Sequence, residues 1–175
     1  PQEWETIALS LRVGGVCVIV SLPAAIALGW LLARRSFPGK VLVDGLCHLP
    51  LVLPPVVTGY FLLVFLSPLG KIGSLLADLG MEVAFSWRGA SLASAVVGFP
   101  LMLRAVRLAF EAVDPRIEQA ARTLGAGPLR AFWTVTLRLG APGILVGSLL
   151  SFARSLGEFG ATIAFVSNIP GETRT

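Results

Sequence analysis

The stretch VGGVCVIVSLPAAIALGWLLA, residues 13–33, runs for 21 positions without a formal charge. At ~1.5 Å per residue a helix of that length reaches ~30 Å, the depth of bilayer hydrocarbon. A water-exposed helix needs a polar face, and this one has none. The reading that follows is an all-α fold, a polytopic bundle of transmembrane helices. The preceding PQEWETIALSLR is acidic rather than basic and offers no small-residue cleavage site, so the first run is expected to stay as a helix rather than leave as a signal peptide.

Composition extends this reading outward. Hydrophobic residues make up 55% of the 175 and charged residues 14%, with a mean hydropathy of +0.82. A soluble domain carries roughly 25% charged residues, and a small domain leaves much of its chain at the surface. Lipid is the solvent that suits such a surface. Three further apolar runs follow: Gly45–Gly70, Gly89–Leu103 and Leu139–Pro170, giving four expected spans within one transmembrane domain, residues 1–175. The third is only 15 residues, so it must recruit flanks that carry Arg104 and Arg107. Cys17 and Cys47 lie inside apolar runs and read as small buried hydrophobes.

The net charge of +4 sits in the connections. Residues 34–40 and the segment from Arg104 to Arg138 hold nine of the 14 basic residues. The positive-inside rule assigns residues 34–40 and 111–135 to the cytoplasm, with two spans between them, and the N-terminus to the outside. Basic charge placed this way reads as topology rather than as a nucleic-acid surface.

The segment DPRIEQAARTLGAGPLRAFW, residues 114–133, has its own grammar. Asp114 suits an N-cap and Pro115 the first helical position. Ile117, Ala120, Ala121 and Leu124 share one face, Glu118 and Arg122 are spaced to pair, and Gly125 suits a C-terminal stop. Pro128 then opens a second short helix with Leu129, Phe132 and Trp133. The small-residue face has two readings, packing beneath its own membrane helices or docking another surface.

These residues carry a resemblance. EQAARTLG, residues 118–125, is similar to the cytoplasmic Glu-Ala-Ala…Gly signature of ABC importer permeases, with Gln119, Ala120, Ala121 and Gly125 on its positions. Gln119 replaces the first Glu, Glu118 stands beside it, and Arg138 stands where the family pattern later has Pro. SFPGK (36–40), HLPLVLPPVVTGY (48–60), FSWRGA (85–90) and FARSLGEFGATIAFVSNIPGETRT (152–175) resemble molybdate permease subunits, and sulfate and tungstate permeases share part of the last. The resemblance implies a type I importer permease that lacks an ATPase site and needs no cofactor of its own. It implies a homodimer with two cytoplasmic ATPase subunits docked on Glu118, Gln119, Ala120, Ala121, Leu124 and Gly125. A periplasmic oxyanion-binding protein would deliver the substrate. Such a permease needs at least one more span, so the sequence is expected to stop before the last helix.

Ionisable or helix-breaking residues at membrane depth are costly and tend to be functional. Pro54 and Pro55 close a run of three prolines and favour a broken helix beside a pathway. Arg154 and Glu158 are spaced to pair, Gly157 and Gly160 weaken the helix around them, and Thr162 adds a hydroxyl. These seven residues are the expected pathway or gate. Arg104 and Arg107 read either as snorkelling to headgroups or as a positive lining. His48 reads as bonded to a nearby carbonyl, and Gly143 with Gly147 as a close helix contact. The chain has no G-x-x-x-x-G-K-[ST] loop, H-E-x-x-H or G-x-S-x-G, and one histidine in total. These absences weigh against an ATPase or a membrane hydrolase.

Overall fold

The computed structural model of the chain describes residues 2–67, 73–74, 86–158, 161, 162 and 166. Among the described residues every regular element is helical. The order is α1 (Gln2–Arg34), α2 (Lys40–Val52), α3 (Pro55–Leu66), α4 (Trp87–Ala112), α5 (Pro115–Thr123) and α6 (Pro128–Ala131). A π-helical turn (Phe132–Thr136) then leads into α7 (Leu137–Leu156).

Among the described residues three segments are long and apolar enough to cross a membrane: Trp4–Arg34, Trp87–Ala112 and Pro128–Leu156. The second apolar run is not a single rod. α2 and α3 meet at Leu53–Pro54 with a bend of 113°. Pro54 lacks the donor that would continue the ladder, and Pro55 occupies the first helical position of α3, where its missing N–H costs nothing. Counted as one broken span, the pair makes four. The third run recruits its flanks as expected, since α4 extends through Arg104 and Arg107 to Ala112.

α1, α4 and α7 form the packed body. Its contacts are made by small residues. A Cβ on Gly147 would lie 3.0 Å from the Met102 carbonyl oxygen, one on Gly143 would overlap the Ala109 methyl, and one on Gly140 would sit 2.7 Å from the Phe110 ring. The Gly143–Gly147 pair is therefore a contact face for α4, as its spacing suggests. Gly98 of α4 faces Ser151 of α7, where an added Cβ would lie 2.7 Å from the hydroxyl. Met102, Val106 and Phe110 are fully buried against α1 residues that include Ala25 and Ile26. The outer sides stay apolar and exposed, with Ile19 and Val20 on α1 and Leu145 and Leu149 on α7.

Tryptophans mark both ends. Trp4 and Trp30 are 26 residues apart on α1, about 39 Å at the helical rise. That spans the hydrocarbon and part of both interfaces, where tryptophan concentrates. Arg12 lies 4.0 Å over the Trp87 ring at one end, and Arg35 lies 5.9 Å from the Trp30 ring at the other.

Candidate functional site

The elbow between α4 and α7 forms as its residues dictate. Asp114 Oδ1 accepts the Arg116 N–H at 2.9 Å, capping α5. α5 closes with the Gly125 N–H on the Arg122 carbonyl at 3.0 Å and the Ala126 N–H on the Ala121 carbonyl at 3.1 Å. That is a Schellman closure, and Gly125 adopts the left-handed conformation it requires, with φ +90°. α5 buries none of its side chains. Leu124 is 89% exposed, Ile117 47%, and Ala120 is exposed beside them. Of the two readings of this face, packing beneath its own helices is not what the structure adopts.

Two expectations are corrected here. The helix starting at Pro128 is not a separate short helix. It runs through the π turn into α7 as a single 29-residue segment, Pro128–Leu156. Phe132 at that turn is held edge-on by Trp30 at 5.8 Å and Phe110 at 6.2 Å, so packing against α1 and α4 keeps the chain helical. Glu118, for its part, does not pair with Arg122. Its carboxylate accepts from the buried Thr136 hydroxyl at 3.1 Å and lies 3.7 Å from Arg34 Nε. Arg34 also donates to the Val113 carbonyl at 2.9 Å. The tertiary partners of Glu118 are partly buried and so outbid a solvated neighbour on the same helix. One carboxylate thereby ties α5 to the end of α1 and the foot of α7. The tie also places residues 34–40 and the elbow at one end of the molecule, as the charge distribution requires.

The expected pathway residues fall in two groups. Pro54 and Pro55 make the break between α2 and α3. Arg154 sits in the last turn of α7, which stops at Leu156, and Gly157 caps it. Glu158 therefore lies just beyond the helix rather than within it. Its Oε2 is 2.9 Å from Arg154 Nη2, and its Oε1 accepts the Ala161 N–H at 2.9 Å, as an N-cap side chain does. The Glu158 side chain is 1% exposed and that of Arg154 32%. The pair thus hides its anion and shows its cation. Thr162 is buried, and Gly160 lies outside the described residues. Among the described residues no hydrogen bond or ion pair joins the two groups. Thr58, next to the proline break, is a buried hydroxyl with no hydrogen-bond partner among the described residues.

His48 Nδ1 lies 2.8 Å from the Asp44 carbonyl oxygen, the carbonyl contact expected of it. Arg107 neither snorkels freely nor stands open as a lining. It is shared between Asp44 of α2 at 2.9 Å and Glu111 of α4 at 2.8 Å. Sequence reasoning missed Asp44, Arg34 and Thr136. Asp44 carried one signal: it is the last charge before the uncharged run that begins at Gly45.

A groove of about 1090 Å³ undercuts the elbow, between α1 and the foot of α7, with Trp30, Phe132 and Trp133 among its walls and Arg34 and Arg122 at its rim.

Residues 25–175 match the family described as binding-protein-dependent transport system inner membrane component. Over 174 residues the chain is 63% identical to the molybdenum transport system permease protein of Escherichia coli (strain K12), covering 99% of this chain and 76% of that protein. The corresponding protein of Haemophilus influenzae is 58% identical over 175 residues, covering 99% and 76%. The sulfate transport system permease protein of Salmonella typhimurium is 37% identical over 173 residues, covering 99% of this chain and 62% of that protein.

Proposed function

The chain belongs to the family of inner membrane components of binding-protein-dependent transport systems, and from that premise we propose that it is the membrane-spanning subunit of an ATP-driven importer for molybdate. It is a multi-pass inner-membrane permease, and the higher identity to molybdenum than to sulfate permeases supports the substrate. The observation that carries the docking role is the outward apolar face of α5, Ile117, Ala120 and Leu124, set on the Gly125 elbow. An exposed apolar face this close to a rigid turn suits a partner's cleft.

In this reading two copies surround the pathway and two cytoplasmic ATPase subunits receive Glu118, Gln119, Ala120, Ala121, Leu124 and Gly125. A periplasmic binding protein delivers the oxyanion. The N-terminus lies outside, and residues 34–40 and 111–135 lie in the cytoplasm. ATP-driven approach of the ATPases moves α5, and the Glu118 tie carries that motion to α1 and α7. The pathway is gated at Pro54–Pro55 and at Arg154, Gly157, Glu158, Gly160 and Thr162. There the partly exposed Arg154 offers a passing dianion a cation, while the charge of the buried Glu158 is offset by its ion pair with that guanidinium. A carboxylate facing the pathway would oppose an anion by Coulomb repulsion, so the orientation of the pair matters more than its presence.

Sulfate is the second reading, supported by 37% identity over nearly the whole chain. Proteoliposomes holding the full complex decide between them. Labelled molybdate is expected to enter only with ATP, and excess unlabelled molybdate to suppress its uptake more than equal sulfate does. Stronger suppression by sulfate assigns the chain to sulfate, and uptake indifferent to ATP refutes the importer.

A further inference from the structure

α2 is lightly anchored in the bundle. It buries no side chain along its 13 residues, and Val41 and Val52 are 86% and 81% exposed. Its far end is the Leu53–Pro54 break. A helix with so little burial has little packing to fix its position. What it has instead is an ionic attachment near its start. Arg107 Nη1 lies 2.9 Å from Asp44 Oδ2 on α2, and Arg107 Nε donates to Glu111 Oε1 at 2.8 Å on α4. Side-chain exposures of 25% for Arg107 and 35% for Asp44 leave the bridge partly shielded from water. His48 Nδ1, on the Asp44 carbonyl, is also 3.4 Å from Asp44 Oδ1 and limits that carboxylate's freedom.

The bridge stands at a mechanical junction. Glu111 is three residues before the Asp114 cap of α5, so Arg107 lies on the last turns of α4 ahead of the docking elbow. Resting on the importer reading above, we propose that Arg107 is a positioning residue which carries displacement of the elbow into α2 and so to the Pro54 hinge. The guanidinium is suited to this because its planar fork holds two carboxylates in fixed directions at once. A lysine ammonium, as a compact point charge, would hold the two less well. The packed body of α1, α4 and α7 moves as a unit through its glycine contacts. Among the described residues α2 also touches α4 along a partly buried side that includes Val43 and Cys47, and this bridge is its ion-paired attachment to that helix.

The test is the complete importer, with its ATPase and binding protein, in proteoliposomes, read for molybdate uptake and ATP hydrolysis together. Arg107→Gln is expected to lower uptake about tenfold while hydrolysis stays within about twofold of wild type, an uncoupling that a general loss of folding would not give. Arg107→Lys is expected to fall between the two. The exchange Asp44→Arg with Arg107→Asp keeps one guanidinium between two carboxylates and is expected to recover about a third of wild-type uptake or more. If Arg107→Gln imports at the wild-type rate, or if the assembled exchange variant imports no better than Arg107→Gln, the bridge carries no coupling. If Arg107→Gln does not assemble, the exchange variant decides alone. Absence of molybdate uptake by the wild-type complex counts against the importer reading, not against the bridge.

Discussion

α4 and α2 differ in what holds them. α4 buries 13 of its 26 residues, among them Ala90, Ala93 and Gly98, and packs on both α1 and α7. α2 buries none and is held by a guanidinium. α5 resembles α2: no buried side chains, one carboxylate tie. The contrast teaches where this molecule is rigid and where it can move. Glycine-mediated contacts fix distances to fractions of an ångström, because a close-packed interface has no slack. Ion pairs at the edge of the bundle fix direction while allowing exchange of partners. The docking helix α5, and α2 leading to the Pro54 break, are of the second kind, whereas the Arg154–Glu158 group stands at the end of the packed α7.

The contrast breaks most readily at Gly143. Gly143→Leu forces a side chain into the space of Ala109, and its expected cost is about 3 kcal/mol, seen as loss of monodisperse protein in detergent. A variant that keeps the wild-type melting temperature would show the α4–α7 contact to be looser than its geometry. Gly125→Val comes next, and it sharpens the other side of the comparison. A β-branched residue at φ +90° costs about 1–2 kcal/mol locally, so membrane insertion should persist while ATP-coupled uptake is lost. Unchanged uptake would remove the elbow from the coupling route. Glu118→Gln leaves a hydrogen-bonding shape for Thr136 but no charge for Arg34. An expected loss of about 1–2 kcal/mol should appear as faster hydrogen exchange in α5, with little change in α7. The smallest effect is Asp114→Ala, about 1 kcal/mol from the lost cap, confined to the first turn of α5 in the same exchange experiment.

Local features were legible in the sequence because their causes are local. Asp114, Pro115 and Gly125 mark helix ends through their own backbone chemistry, and all three act as read. The uncharged run 13–33 is a span for the same reason. Arg154 and Glu158 pair as their spacing suggests, although the helix ends between them at Leu156. The partner of Glu118 was not legible. The candidate four residues away was visible, whereas Arg34, 84 residues distant, becomes a neighbour only when α1 and α4 pack. The same holds for Arg107 and Asp44. The prolines at 50, 54 and 55 announce a break, but its 113° angle depends on what α3 packs against. Pro128 shows the reverse error: a residue that suits a helix start gave no sign that the helix would continue for 29 residues.

The central claim is that the α5 face meets a cytoplasmic ATPase, and the side of the membrane on which Leu124 stands tests it most directly. A Leu124→Cys variant with Cys47→Ser, treated with a membrane-impermeant maleimide, should label in inverted vesicles and stay unlabelled in intact cells, and added ATPase subunit should protect it. Labelling of Leu124→Cys from outside intact cells would contradict the account.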